Sequence, residues 1–255
     1  MSYSSAHVAA SYDRTFSEGH LVELDSFYRW ALDLLDPPAG SRLLDVACGE
    51  GMLVERACER GLEAHGTDLS PVAAARSAEL APGARMTVGN GEHLPYADDA
   101  FDFVTCLGSL EHYLDLWRGA QEIRRVLKPQ GLAAIFLPNS YYLGDIIWHV
   151  LRRGRGPHHL QLVERFATSQ EWAGFLRMMG LAPTRVRKYN LKFPRSKEDL
   201  RWYRRYPTKL LTLALAPFTP FHLSYSFMYL CRVSEPEPER NDGLPLVLRR
   251  PGRLA

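Results

Sequence analysis

The chain has 255 residues, of which 46% are apolar and 24% charged, with a formal net charge of +2. That is the make-up of an ordinary globular protein with enough apolar material for a full core. No apolar run reaches the 18 or more residues of a spanning helix, and Met1–Ser5 shows no basic-then-apolar leader, so a cytoplasmic protein is expected. Cys48, Cys58, Cys106 and Cys231 are scattered without a C-x-x-C pair, which argues against a disulfide framework or a metal knuckle. The small net charge hides an asymmetry: residues 1–140 carry 11 Lys and Arg against 20 Asp and Glu, and residues 141–255 carry 20 against 9. The acidic half is a poor surface for nucleic acid, while the basic half suits an anionic substrate or surface.

Phe27, Trp30, Ala31 and Leu34 recur at helical spacing, and Pro37-Pro38 closes that helix. Leu43-Leu44-Asp45-Val46 is a short buried-strand run, followed by a turn of small residues, Ala47-Cys48-Gly49-Glu50-Gly51, that opens a helix through Leu53, Val54 and Ala57. Residues 64–67 read as a second strand. A helix over 71–80 follows, with Ser70 as its cap and Pro71 at its first position. Residues 86–88, 101–107 and 132–137 read as strands, the last preceded by a helix striped by Leu116, Ala120, Ile123 and Leu127 that stops at Pro129-Gln130-Gly131. This alternation predicts an α/β fold, a parallel sheet with helices on both faces.

Beyond Pro138 the rhythm changes. Residues 140–181 are expected to be mostly helical with a break at 154–157, and Thr168 with Glu171 forms a capping box. Residues 184–189 and 223–233 read as two more strands. Between them, residues 185–209 hold ten Lys or Arg with Tyr189, Phe193, Trp202, Tyr203 and Tyr206 interleaved, and residues 210–221 are apolar. Cations, aromatics and an adjoining apolar run suit peripheral contact of residues 185–221 with an anionic membrane or a lipid-linked acceptor. RNA is the weaker alternative for this stretch, and a solvated helix over the sheet is the plain structural one. The tail over 235–255 is expected to be loose.

A strand that ends in an acid and runs into a tight turn at a helix N-terminus lets the backbone approach a ligand closely. The spacing Asp45-x-Ala47-x-Gly49-x-Gly51 lacks the third glycine of a dinucleotide fingerprint. It resembles the first motif of the class I S-adenosylmethionine (SAM) dependent methyltransferases, with Ala47 in place of the usual glycine. Gly66-Thr67-Asp68-Leu69-Ser70 resembles the family's second motif, Gly89-Asn90-Gly91-Glu92 its adenine-binding segment, residues 101–112 its fourth strand and the loop after it, and Arg125–Gly131 its turn before the fifth strand.

The resemblance implies a doubly wound, seven-stranded, Rossmann-like sheet whose last strand is antiparallel, with helical acceptor-binding insertions. It divides one domain over 1–234 into an N-terminal helical cap (1–39), a SAM-binding half (40–140) and an acceptor-binding half (141–234). It implies SAM as cofactor, contacted by Tyr12, Asp45, Ala47, Gly49, Gly51, Asp68, Leu69, Asn90, Gly91, Glu92 and Leu107. Asp68 would hold the ribose hydroxyls, and Asn90 would accept from the adenine amino group where relatives often have Asp. His112, where the fourth strand delivers side chains toward the transferring methyl, is the candidate base, with Glu111 as its support. Tyr141, Tyr142, His158 and His159 are candidates for the acceptor pocket, and no metal is required. The implied activity is methyl transfer to a small or amphipathic acceptor, at oxygen. An RNA methyltransferase and a non-catalytic SAM-binding regulatory protein are the alternatives.

Overall fold

The computed structural model describes residues 7, 8, 10–13, 23–155, 163–238 and 248. Its centre is a seven-stranded sheet: β1 (Arg42–Val46), β2 (Glu63–Asp68), β3 (Arg85–Val88), β4 (Phe101–Leu107), β5 (Leu127–Pro138), β6 (Leu181–Tyr189) and β7 (Ser226–Val233), in the order β3-β2-β1-β4-β5-β7-β6. The pairs among β1 to β5 are parallel, whereas β7 runs antiparallel to both β5 and β6.

Period-2 alternation sends neighbouring residues to opposite faces, and both faces are covered. Leu44 and Val46 of β1, Ile135 and Leu137 of β5, and Phe227 and Tyr229 of β7 enter one apolar cluster. That cluster also takes in Trp117 and Ile123 of α4 (Leu116–Val126) and Trp172, Phe175 and Leu176 of α5 (Ser169–Met178). The adjacent strand residues Leu43, Phe136, Met228 and Leu230 enter the other, against Phe27 and Leu32 of α1 (Asp25–Leu35) and Leu53 and Val54 of α2 (Met52–Glu59). Helix α3 (Pro71–Leu80) packs on β2 and β3. Its start is as expected: Pro71 sits at the first position and the Ser70 Oγ accepts from Ala73 N–H at 3.1 Å. The Thr168–Glu171 capping box is present at α5.

Three expectations change. The fifth strand begins at Leu127 with no loop after α4, because Leu127 pairs with Phe101 before a register shift carries the strand past Pro129. The stretch 140–181 is helical only at 143–153 and 169–178, and residues 181–183 join β6 through its pairing with β7. The basic segment takes the helical form that was its plain structural alternative, as α6 (Lys197–Arg205), whose Ser196 cap accepts from Asp199 N–H at 3.1 Å, and α7 (Thr208–Leu215). In the tail, Leu248 is fully buried in the first cluster, and the Trp117 indole N–H donates to its carbonyl at 3.0 Å, so this residue is anchored rather than loose. None of the helices among the described residues is long and apolar enough to cross a membrane.

Candidate functional site

The strand order reverses between β1 and β4: from β1 the chain builds outward through β2 and β3, then returns to place β4 on β1's other side. A crevice opens at the carboxyl ends of strands at such a point. A cavity of about 390 Å³ lies there, in the size range of small-ligand sites. One end is lined by Asp45, Ala47, Gly49, Asp68, Leu69, Asn90 and Glu92, the middle by the loop after β4, and the other end by Asn139, Tyr142, Asp145, Glu164, Phe166 and Tyr225.

The turn after β1 is shaped for close approach. Ala47, Gly49 and Gly51 have φ of 55°, 54° and 85°, the left-handed region in which small residues are least strained. Asp68, at the end of β2, braces the turn: its Oδ2 accepts from Gly49 N–H and its Oδ1 from Ser70 N–H, both at 2.8 Å. Each oxygen keeps a lone pair for a ligand hydroxyl. Burial raises the Asp68 carboxyl above its ordinary value, and the two N–H groups offset part of that. Asp45 is buried under the turn, pushed up to about 7 by burial and by the charge of Asp68, while the Thr105 hydroxyl, donating at 2.6 Å, pulls it back. Gly51 stands off the cavity. It faces α3, where a Cβ would fall 2.0 Å from Ser77 Oγ.

Asn90 Oδ1 accepts from Glu92 N–H at 2.9 Å, so the oxygen expected to face adenine also closes its own turn. Glu92 clamps this segment to the loop after β4, accepting from Leu114 N–H at 2.8 Å. Gly91 lines the cavity because only hydrogen fits against Tyr113, whose Oη would lie 2.0 Å from a Cβ there. Tyr12 lines the cavity from the helical residues 10–13, and its neighbour Asp13 accepts from Ser70 Oγ, fastening that segment to α3. Leu107 lines the cavity at the end of β4.

His112 follows β4 in a single helical turn and is 8% exposed. Its Nδ1 lies 2.7 Å from the Val163 carbonyl, which can only accept, so Nδ1 carries the proton and Nε2 is the basic nitrogen. Nε2 sits 3.7 Å from Glu111 Oε1. Glu111 is 4% exposed, and its Oε2 has no hydrogen-bond partner. Burial, and then the charge of Glu164, push its carboxyl up to about 8.

Of the acceptor candidates, Tyr142 lines the cavity and meets Tyr225 edge-on at 5.2 Å between ring centroids. Tyr141 lies off the cavity and is 57% exposed, because the backbone turn at Asn139 sends it outward. His158 and His159 lie outside the described residues. The sequence reading missed Glu23, Asp145, Glu164, Phe166 and Tyr225, which reach the cavity from four segments, Glu164 and Phe166 sharing one. No cluster of potential metal ligands occurs among the described residues.

The family described as Methyltransferase domain matches residues 44–135. An uncharacterized methyltransferase of Bacillus subtilis is 33% identical over 110 residues, 42% of this chain and 42% of its own length. One of Mycobacterium tuberculosis is 30% identical over 155 residues, 57% of this chain and 63% of its own. The demethylmenaquinone methyltransferase of Chlorobaculum parvum is 36% identical over 98 residues, 38% and 41%. The chain thus spans less than two thirds of the length of these relatives. Two solved structures share the fold at 18% identity. The cyclase SpnF has a TM-score of 0.66 over 91% of this chain and 98% of its own. The 1,6-didemethyltoxoflavin-N1-methyltransferase of Burkholderia thailandensis, bound to S-adenosylhomocysteine, has 0.62 over 90% and 88%. Residues 44–135 are therefore a methyltransferase domain, and that family supports SAM as its cofactor.

Proposed function

We propose that the protein transfers the methyl group of SAM to an oxygen of a small-molecule acceptor. The observation that carries this reading is the fixed tautomer of His112, whose basic Nε2 stands beside Glu111 in the middle of the cavity, between the glycine turn and the tyrosine-lined end. The left-handed turn, the buried carboxylate of Asp68 and the size of the cavity fit a nucleoside-like cofactor. Ala47, Gly49, Asp68, Leu69 and Asn90 would hold it. Gly51 would act by letting the turn pack on α3, and Asp45 and Glu92 by fixing the turn and the adenine segment.

When bound, SAM supplies a methyl group activated by its positively charged sulfur. The walls of the cavity hold the acceptor hydroxyl in line with that methyl and exclude water. His112 Nε2 would take the proton of the acceptor hydroxyl as the methyl group is transferred, and Glu111, once ionised, would stabilise the imidazolium. An acid-lined cavity repels a phosphate backbone, which speaks against RNA as the acceptor. Incubation with SAM and a panel of hydroxyl-bearing small molecules, read by mass spectrometry, tests the reading. S-adenosylhomocysteine formation with methyl on oxygen supports it. S-adenosylhomocysteine binding without turnover of any acceptor would favour the regulatory alternative.

We propose further that the outer helices touch an anionic membrane surface. Leu210, Leu211, Leu215 and Phe218 of the α7 region are 49–82% exposed, Trp148 and Leu151 are 61% and 74% exposed, and Arg152, Arg153, Arg204, Arg205 and Lys209 accompany them at the surface. Each cation near such a surface is worth about 1 kcal/mol, screened within roughly 8 Å in physiological salt. Sedimentation with anionic but not neutral vesicles, weakened by salt and by Leu211→Ser with Phe218→Ser, supports this contact. Equal, negligible sedimentation with both lipids refutes it.

A further inference from the structure

The charge that lines the cavity is of one sign. Asp45, Glu50, Asp68 and Glu92 line it beside the glycine turn and the adenine segment, and Glu23, Glu111, Asp145 and Glu164 line it from other segments, while no lysine or arginine among the described residues lines it. The last four carboxylates come from segments well separated in the chain, yet they converge. After burial, it is the charges of Glu23, Asp145, Glu164 and Glu111 that hold the Tyr225 hydroxyl well above its ordinary value. Arg165 packs behind the loop after β4, but its guanidinium donates to the carbonyls of Glu111, Tyr113 and Leu114 and pairs with no carboxylate among the described residues.

A buried carboxylate without a counter-charge is costly, and protein interiors normally pair it or hydrogen-bond both oxygens. Glu111 departs from that rule. It is 4% exposed, it lines the cavity, its Oε1 looks toward His112, and its Oε2 has no partner. The positive sulfur of SAM would answer negative charge at the cofactor end, Lys209 acts on Glu23 and His149 stands 4.0 Å from Asp145, which leaves the Oε2 of Glu111 to be answered. The far end also offers the rings of Tyr142, Phe166 and Tyr225, whose faces attract cations. An anionic acceptor would meet repulsion there, and a neutral one would leave Glu111 held in its protonated form by burial.

We infer that the acceptor is a small organic cation, a molecule bearing an amine that is protonated at neutral pH, seated with its ammonium against the Glu111 carboxylate in the end of the cavity walled by Tyr142 and Tyr225. The inference rests on the methyltransferase reading and names its substrate class. Glu111 then has two neighbours: the ammonium at Oε2 and His112 at Oε1. Binding of the cation keeps the carboxylate ionised, which in turn favours proton uptake by His112. Cavity charge therefore selects the acceptor and primes the base together.

Three phenols of similar size isolate the charge: tyramine is a cation, 4-ethylphenol is neutral and 4-hydroxyphenylacetate is an anion. Their affinities are measured by calorimetry at pH 7.5 on the full chain saturated with S-adenosylhomocysteine. One charge-assisted contact predicts that tyramine binds about 10- to 100-fold more tightly than 4-ethylphenol, with 4-hydroxyphenylacetate weakest. Glu111→Gln should reduce the tyramine advantage to about threefold or less while 4-ethylphenol affinity stays. Equal affinities, including none for all three, or an anion that binds best, overturn the inference, and this wild-type ordering needs no variant. Failure to bind S-adenosylhomocysteine would instead remove the methyltransferase reading itself. Methylation of the tyramine nitrogen would correct the oxygen assignment and leave the cationic acceptor standing.

Discussion

Glu111→Gln should stabilise the protein while disabling it, and the gain should depend on pH in a defined direction. The Glu111 carboxyl, ordinarily near 4.5, is raised to about 8 by burial. The folded state therefore binds this proton more tightly than the unfolded state does. Stability is unaffected below about pH 4.5, falls as pH rises from there, and reaches its full loss once pH passes about 8. At pH 7 the interval from 4.5 is 2.5 units, and at about 1.4 kcal/mol per unit the cost is roughly 3 kcal/mol. Relaxation and water entry reduce such values, so about 1–1.5 kcal/mol should be recovered by a neutral amide of the same shape. For a chain of this size that corresponds to a rise in Tm of roughly 2–6 °C. Thermal unfolding at pH 4.5, 7 and 8.5 without ligand is the assay. The Tm difference between Glu111→Gln and wild type should be near zero at pH 4.5 and grow to pH 8.5. A difference independent of pH, or a variant less stable than wild type at pH 8.5, would refute the claim that this carboxylate is buried without a counter-charge.

Three further outcomes are expected. Asp68→Asn and Asp68→Ala should each weaken S-adenosylhomocysteine binding by calorimetry, the alanine variant by about 10- to 100-fold, because it also removes the acceptors that brace Gly49 and Ser70. His112→Ala should lower turnover about 10²- to 10⁴-fold with S-adenosylhomocysteine affinity nearly unchanged, since its ring is held by Val163 rather than by the turn. Gly51→Ala should cost roughly 1–3 kcal/mol in urea unfolding, because its Cβ would overlap Ser77 Oγ and Cβ at a φ of 85°.

The cofactor half was legible because its signals are local. A strand, an acid, three small residues and a helix lie within residues 43–59, and the left-handed φ of Ala47 is met by the smallest side chain that has a Cβ. Ser70-Pro71 announced α3 for the same reason, since a cap and a first-turn proline act within one turn. Function at Gly51 and Gly91 was legible as a need for glycine, but not its cause, because Ser77 and Tyr113 approach from other elements. The far end of the cavity was not legible. Glu23, Glu111, Asp145 and Glu164 lie 19 or more positions apart, and the reversal of strand order at β1 and β4 brings their segments to one crevice. Tyr141 and Tyr142 show the limit at its sharpest: the pair reads identically in sequence, and the turn at Asn139 directs one to solvent and the other to the cavity.

The fold alone leaves the chemistry open, since a cyclase and an N-methyltransferase share it at equal sequence identity. What distinguishes this chain lies in the side chains added to that frame. The N-terminal half carries the chain's excess of acid, and part of it is spent on the cavity rather than on the surface. The C-terminal half carries the excess of base, and Arg185, Arg187, Arg204, Arg205 and Lys209 are exposed while none of them lines the cavity. The described residues that line the cavity therefore include no lysine or arginine, and the exposed cations lie on the outer helices and β6. The fold thus gathers acid from both halves around the cavity and leaves these basic residues of the C-terminal half on the outer face, and the proposal of a cationic acceptor rests on that separation.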